Sequence, residues 1–155
     1  MDSHAAARLV HEALTASVAG DSVTAGEKIG ALGRDSDPGR MYGVCHGVAT
    51  CGKDATVVLF KGCTPDLARG QCWYVVHLRP HLNRIRRGVP AEPWHLFSER
   101  FLVAHFNDDD GNAAALYAAA LSISGEHFVR CVAQLFADVA GLCAMAGRRT
   151  EGRSR

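Results

Sequence analysis

The chain has 155 residues, of which 48% are hydrophobic and 21% charged, and its formal net charge is +1 with neutral histidines. That composition excludes a disordered chain, and the length suits one domain that can bury a core without disulfides or a metal. The near-neutral charge excludes a whole-molecule field that would attract nucleic acid or another strongly charged partner.

The N-terminal segment lacks the basic start and uninterrupted apolar run of a secretion signal, and Asp2, His11 and Glu12 fall within it. No uncharged apolar run reaches the length of a membrane span, so we expect no membrane partner. Without a secretion signal, the six cysteines are expected to be reduced thiols of a cytoplasmic protein: Cys45, Cys51, Cys63, Cys72, Cys131 and Cys143.

Three helices are predicted in residues 5–52. The first occupies residues 5–19, because its apolar residues recur at steps of three and four: Leu9, Val10, Ala13, Leu14 and Val18. Asp21 or Ser22 then caps a shorter second helix. Asp37 followed by Pro38 is typical of a helix start and opens a third helix, which we expect to reach about Cys51.

The middle of the chain, residues 53–92, is the least regular part. Residues 55–60 are short, apolar and β-branched, a pattern that fits a strand or a buried helix equally well. Residues 66–78 follow a cap-and-proline start but include an aromatic and β-branched run that suits a strand. We favour helix in both places because their surroundings are helical, and a two-stranded hairpin is the alternative. Residues 80–93 contain three prolines and are predicted to be an irregular connection.

The second half, residues 93–146, is again predicted to be helical. Pro93 opens a helix that ends in the polar run 107–111, and a short alanine-rich helix follows. The longest periodic stretch of the chain comes next, in residues 125–146. Its apolar stripe has a period near 3.6 residues and consists of Phe128, Cys131, Val132, Leu135, Val139, Leu142 and Cys143. Ser124 is its predicted N-cap and Gly147 its predicted stop, so residues 148–155 are expected to be a disordered basic tail.

These elements predict an all-α fold, a compact helical bundle formed by residues 1–147 as a single domain. Residues 5–52 and 93–146 share one plan of a helix, a break, a short helix, a turn and a longer helix. An internal duplication with a pseudo-two-fold axis and residues 53–92 as its insertion is one interpretation. The other interpretation is two ordinary helical hairpins whose helix breaks and turns happen to be similar.

The cysteines and histidines do not form a recognisable metal or catalytic motif. No C-x2-C pair occurs, and His77 and His81 have metal-binding spacing but are separated by Pro80, which disfavours a helical presentation. Cys72 lies near His77 without the surroundings of a nucleophile motif. The acidic run 107–112 lacks the final ligand of a calcium loop. We therefore predict no catalytic residue, no metal and no cofactor.

A basic cluster in the middle segment is the strongest functional signal. It consists of Arg79, His81, Arg84, Arg86 and Arg87, and Trp73 and Trp94 flank it. Arginine suits phosphate or carboxylate recognition, and the aromatic rings could stack on bases, but no nucleic-acid-binding motif accompanies them. The cluster is thus a candidate partner-binding or phosphate-binding site.

Three functions follow from these patterns. The first is a non-catalytic intracellular protein that binds another protein or itself, with a homodimer as one form, because apolar helical surface is abundant and catalytic motifs are lacking. The alternative is a nucleic-acid-associated protein that uses Arg79 to Arg87. The second alternative is a small enzyme or ligand-binding protein with a pocket around Cys72, Trp73 and His77.

Overall fold

The fold is described by a computed structural model, which covers residues 2–82 and 91–153. Over these residues the chain forms seven α-helices and no strand, which confirms the predicted all-α class. The helices are α1 (Ser3–Val18), α2 (Ser22–Asp35), α3 (Pro38–Leu59), α4 (Val75–Leu78), α5 (Pro93–Phe106), α6 (Asp110–Ile123) and α7 (Gly125–Arg153).

The helix starts are set by side chains that accept the free N–H groups of the first turn. Asp21 Oδ1 accepts from the Thr24 N–H at 3.0 Å, and Asp37 Oδ1 accepts from the Arg40 N–H at 2.9 Å. Ser124 Oγ accepts from the His127 N–H at 3.1 Å and caps α7. Each of these caps was predicted from the sequence, and each satisfies a donor that the helix itself cannot.

The core is built around α3 and α7, which pack against each other and against α1 and α5. The predicted stripe of α7 faces inward, and five of its members are buried: Cys131, Val132, Leu135, Val139 and Leu142. The two helices are in close contact at Gly52, where an added Cβ would lie 3.0 Å from Val139 Cγ2. Buried apolar residues from each of the seven described helices belong to one cluster. An internal duplication requires the contact between α3 and α7, but two ordinary hairpins allow it as well, so the repeat is not confirmed.

The middle segment differs from the prediction in two ways. The third helix does not end near Cys51 but continues to Leu59, so residues 55–59 are helical, as favoured, and belong to α3. Residues 66–78 are helical only in part: a 3-10 turn occupies Leu67–Arg69, and extended backbone leads into α4. The Asn107 side chain explains the extended part, because its Oδ1 accepts the Trp73 N–H at 2.7 Å and its Nδ2 donates to the Trp73 carbonyl at 3.0 Å.

The last helix is longer than predicted. It passes Gly147 and continues to Arg153, so residues 148–153 are helical and not disordered. The Arg149 guanidinium donates to the Leu59 carbonyl, and this contact caps the end of α3 while it anchors the end of α7. Among the described helices, α7 is the one whose length and hydropathy would suit a membrane crossing, and 44% of its most apolar window is buried inside the fold. A core helix of a globular protein meets the same criteria.

Candidate functional site

A cavity of about 540 Å³ lies between α2, the start of α3, the end of α6 and the start of α7. We call it the α2–α7 groove. Its floor is formed by the buried side chains of Met41, Val132 and Phe136. Two apolar residues at the groove stay exposed, Leu121 at 39% and Val129 at 63%. A mostly apolar concavity of this size falls within the range of about 300–1,000 Å³ that is typical of small-molecule sites.

Half of the α2 residues that line the groove are glycines, and the others are Ile29, Leu32 and Arg34. Gly26, Gly30 and Gly33 line it at helical spacing, so they share one face of the helix. A Cβ added at Gly26 or Gly33 would meet no heavy atom within 4 Å, so the space beside them is open. Each glycine weakens the helix by about 1 kcal/mol relative to alanine. The glycines are therefore costly to α2, and what they provide is space in the groove.

Two polar groups lie at the groove, and neither has a partner within the described part of the protein. The Ser36 Oγ atom is buried and makes no hydrogen bond. The Arg34 side chain folds back along α2, where Nη1 lies 3.3 Å from the position of a Cβ at Gly30. Most buried polar atoms in proteins are hydrogen-bonded, so an unpaired hydroxyl needs an explanation. A ligand with an acceptor atom would supply one.

Two other cavities do not combine an apolar lining with a buried, unpaired polar atom. A cavity of about 460 Å³ between α1 and α3 is lined by Ala6, Val10, Val44 and Cys51, with His11 and Arg40 at its side. A more open cavity of about 420 Å³ in the middle segment brings together Cys72, Trp73 and His77, as one sequence hypothesis required. No described side-chain nitrogen or oxygen atom that lines either cavity is both buried and unpaired.

The middle-segment cavity does not have the geometry of a thiol enzyme. His77 Nδ1 accepts the Tyr74 N–H at 3.0 Å, so this nitrogen carries a lone pair and the ring proton resides on Nε2. A histidine in that tautomer presents an N–H donor and cannot take the proton of Cys72 through Nε2. The two buried cysteines are no better suited, because burial raises the pKa of the Cys45 thiol to about 12 and that of Cys131 to about 11.

A pair of histidines joins α3 to α5. His46 Nδ1 lies 2.8 Å from His105 Nδ1, and His105 Nε2 lies 3.1 Å from Thr50 Oγ1. The Thr50 hydroxyl donates to the His46 carbonyl at 3.0 Å, so its oxygen must accept from His105. His105 therefore carries its proton on Nε2, and His46 donates from Nδ1 to His105 Nδ1.

Burial, the facing His46 and the Lys53 ammonium lower the pKa of His105, in that order of size, while Asp108 and Asp110 act in the opposite direction. In residues 2–82 and 91–153, no three histidine, cysteine or acidic side chains converge as a metal site requires. The hydrogen-bond chain accounts for the close approach of the two rings without a ligand.

The two described members of the basic cluster, Arg79 and His81, both contact other residues of the protein. Arg79 forms an ion pair at 3.4 Å with Glu99, which is only 2% exposed, so its charge neutralises a buried carboxylate. The His81 ring packs against Phe60 with 5.3 Å between centroids. Arg84, Arg86 and Arg87 lie outside the described residues.

The two tryptophans that flank the cluster also contact other residues of the protein. Trp73 is 3% exposed and packs between Phe60 and Phe106, which leaves no ring face for stacking on a base. Trp94 is half-buried, and the Arg130 guanidinium lies 4.9 Å from its ring centroid.

Sequence reasoning missed the groove and the histidine pair. A signal for the groove was present in the sequence, because Gly26, Gly30 and Gly33 share one face of the second helix. The unpaired state of Ser36 had no signal in the sequence. A scan of protein-family models, a search of curated proteins and a search of solved structures each found no match for this chain.

Proposed function

We propose that the chain is a non-catalytic binding protein that holds an elongated, mainly apolar small molecule in the α2–α7 groove. The observation that carries this proposal is the preformed cavity of about 540 Å³, in which a buried apolar floor faces a helix that lines the cavity with three glycines. Burial of apolar ligand surface against Met41, Val132 and Phe136 is the source of affinity. The glycines allow the ligand to approach the α2 backbone directly.

The expected affinity of the apolar chain alone is weak. Each buried methylene contributes about 0.8 kcal/mol, and immobilisation of the ligand costs at least about 4 kcal/mol. Burial of a ten-carbon chain should therefore contribute at most about 4 kcal/mol of net binding free energy, which corresponds to a dissociation constant of about 1 mM or weaker. The calorimetric titration must therefore reach millimolar ligand.

The test is to fill the groove without disturbing the fold. Gly33→Leu places a side chain in open space on the glycine face of α2, so it should block the ligand while it strengthens the helix. Gly141→Leu is the matched control, because Gly141 is an exposed glycine within α7, has no heavy atom within 4 Å of an added Cβ and does not line the groove. Calorimetric titration of decanoate should show binding to the wild type and to Gly141→Leu. At least about tenfold weaker binding is expected for Gly33→Leu.

A protein segment or a second copy of the chain is the competing occupant, as the sequence hypothesis of self-association requires. The exposed Leu121 and Val129 favour it, because exposed apolar surface at a groove is also found at protein interfaces. Light scattering over a range of protein concentrations separates the two. A dimer that Gly33→Leu dissociates would replace the small-molecule proposal by self-association.

The nucleic-acid hypothesis has weaker support. Arg79 is engaged by Glu99, and Trp73 is buried in the core. Salt-dependent binding of an oligonucleotide that is lost when Arg84, Arg86 and Arg87 become alanine would still restore it.

A further inference from the structure

Arg34 and Ser36 give the groove a chemically defined end. We propose that the ligand carries an anionic oxygen head group, a carboxylate or a phosphate. This group forms an ion pair with the Arg34 guanidinium and accepts a hydrogen bond from the Ser36 hydroxyl. This inference rests on the proposed function, because it names the class of molecule that the same groove holds.

The charge of the groove supports an anion. Among the described residues that line it, Arg34 is the one with an ionisable side chain. Two acids near the groove are already engaged: Asp37 accepts the Arg40 N–H at 2.9 Å, and Glu126 accepts from Arg130 Nη2 at 2.8 Å. Two helix N-termini and two C-termini meet at the groove, so their dipoles largely cancel. Arg34 therefore places a full positive charge at the groove, which favours an anionic ligand.

The Ser36 hydroxyl supports an acceptor. Its oxygen is buried and makes no hydrogen bond to any described residue. An unpaired buried hydroxyl destabilises the protein, and a hydrogen bond to a charged acceptor restores the interaction that the hydroxyl lost when it was buried. A carboxylate or phosphate oxygen recovers this loss and also forms the ion pair with Arg34. An ammonium head cannot accept from Ser36 and is repelled by Arg34.

The geometry leaves room for the head group. The Arg34 guanidinium lies against Gly30, and Gly33 on the same wall has open space beside it. Neither residue has a side chain that would come between the guanidinium and a bound ligand. Arginine presents a planar pair of donors that matches two oxygens of a carboxylate or phosphate. Ser36 then supplies a neutral donor from the segment that joins α2 to α3.

The experiment compares ligands that each have ten carbon atoms and differ in the head group: decanoate, decyl phosphate, decanol and decylammonium. Each is titrated calorimetrically into the wild type, Arg34→Gln, Ser36→Ala and the control Arg148→Gln. Arg148 is an exposed arginine of α7 that does not line the groove. Decanoate should bind the wild type about tenfold or more tightly than decanol does.

The variants should act on the anionic ligands alone. Arg34→Gln should lower the affinity for decanoate to that for decanol and leave the affinity for decanol unchanged, while Ser36→Ala causes a several-fold loss. Arg148→Gln should have no effect. Tighter binding of decyl phosphate than of decanoate would identify a phosphate head, and the reverse order a carboxylate head.

Two results would overturn the inference and are distinguishable. Equal binding of decanoate and decanol, or preferred binding of decylammonium, with loss of binding in Gly33→Leu, would refute the anionic head and leave the proposed function standing. Binding of none of the four ligands to the wild type would refute both.

Discussion

The Nδ1 atoms of His46 and His105 lie 2.8 Å apart, so a single proton is shared by two facing nitrogens across the contact between α3 and α5. The arrangement depends on His105 remaining neutral, since a second proton on its Nδ1 would face the one that His46 donates. Lys53 on α3 disfavours a charged His105, and Asp108 and Asp110 at the start of α6 favour it. The net effect of these surroundings, with burial as the largest cause, is a lowered pKa of His105.

The pair predicts a loss of stability in acid. In the unfolded chain His105 takes up a proton near its ordinary pKa of 6.5, whereas the folded chain takes it up only at lower pH. The unfolded state therefore binds more protons below pH 6.5, and the free energy of unfolding falls as the pH decreases. His105→Gln should flatten this part of the pH profile, measured by urea unfolding at several pH values. His4→Gln, at an exposed position of α1, should leave the slope unchanged.

The ring tautomers provide an independent check of the same geometry. Nitrogen NMR should place the proton of His105 on Nε2 and that of His46 on Nδ1. The opposite assignment would refute the hydrogen-bond chain through Thr50.

Substitution of serine by alanine should change the free energy of unfolding in opposite directions at two positions. In the ligand-free protein, Ser36→Ala should leave the free energy of unfolding unchanged or raise it by up to about 1 kcal/mol, because it removes a buried hydroxyl that has no partner. Ser98→Ala should lower it by about 1.5–3 kcal/mol, because the Ser98 hydroxyl donates to the buried Asp138 carboxylate at 2.5 Å. Denaturant unfolding of the two variants measures both changes in the free energy of unfolding. A loss of similar size in both would mean that Ser36 is hydrogen-bonded within the protein.

Two glycines of α3 provide a second matched pair. Gly52→Ala should destabilise the fold by about 1–3 kcal/mol, since its methyl group would press on Val139, a buried β-branched residue that cannot rotate away. Gly47→Ala, at an exposed position with no heavy atom within 4 Å, should stabilise it by up to about 1 kcal/mol. Thermal unfolding measures both. Stabilisation by Gly52→Ala would show that α3 and α7 are not in close contact there.

The local features of the fold could be predicted from the sequence. The Asp37 cap, the Pro38 start and the inward stripe of α7 are set by neighbours within one or two turns, and sequence periodicity reports such neighbours. The backbone at Trp73 could not be predicted, because Asn107 determines it from 34 positions away. The end of α7 could not be predicted for the same reason, since Arg149 is anchored by Leu59, 90 positions earlier.

The candidate site was even harder to predict from the sequence. Four separate helices form the groove, and the sequence does not say which of them meet. The glycine face of α2 was visible, but whether it faces open space or a neighbouring helix depends on the packing. His46 and His105 are 59 positions apart, so their pairing likewise appears only in the fold. The basic cluster had the clearest signal in the sequence, and of its described members Arg79 is used to neutralise a buried acid.

The most direct test of the central claim is a calorimetric titration of decanoate into the wild-type protein, Gly33→Leu and Gly141→Leu. We expect saturable binding with one ligand per chain in the wild type and in Gly141→Leu, and at least about tenfold weaker binding in Gly33→Leu. Binding of equal strength in all three proteins, or no binding to the wild type, would contradict the assignment of the α2–α7 groove as a ligand site.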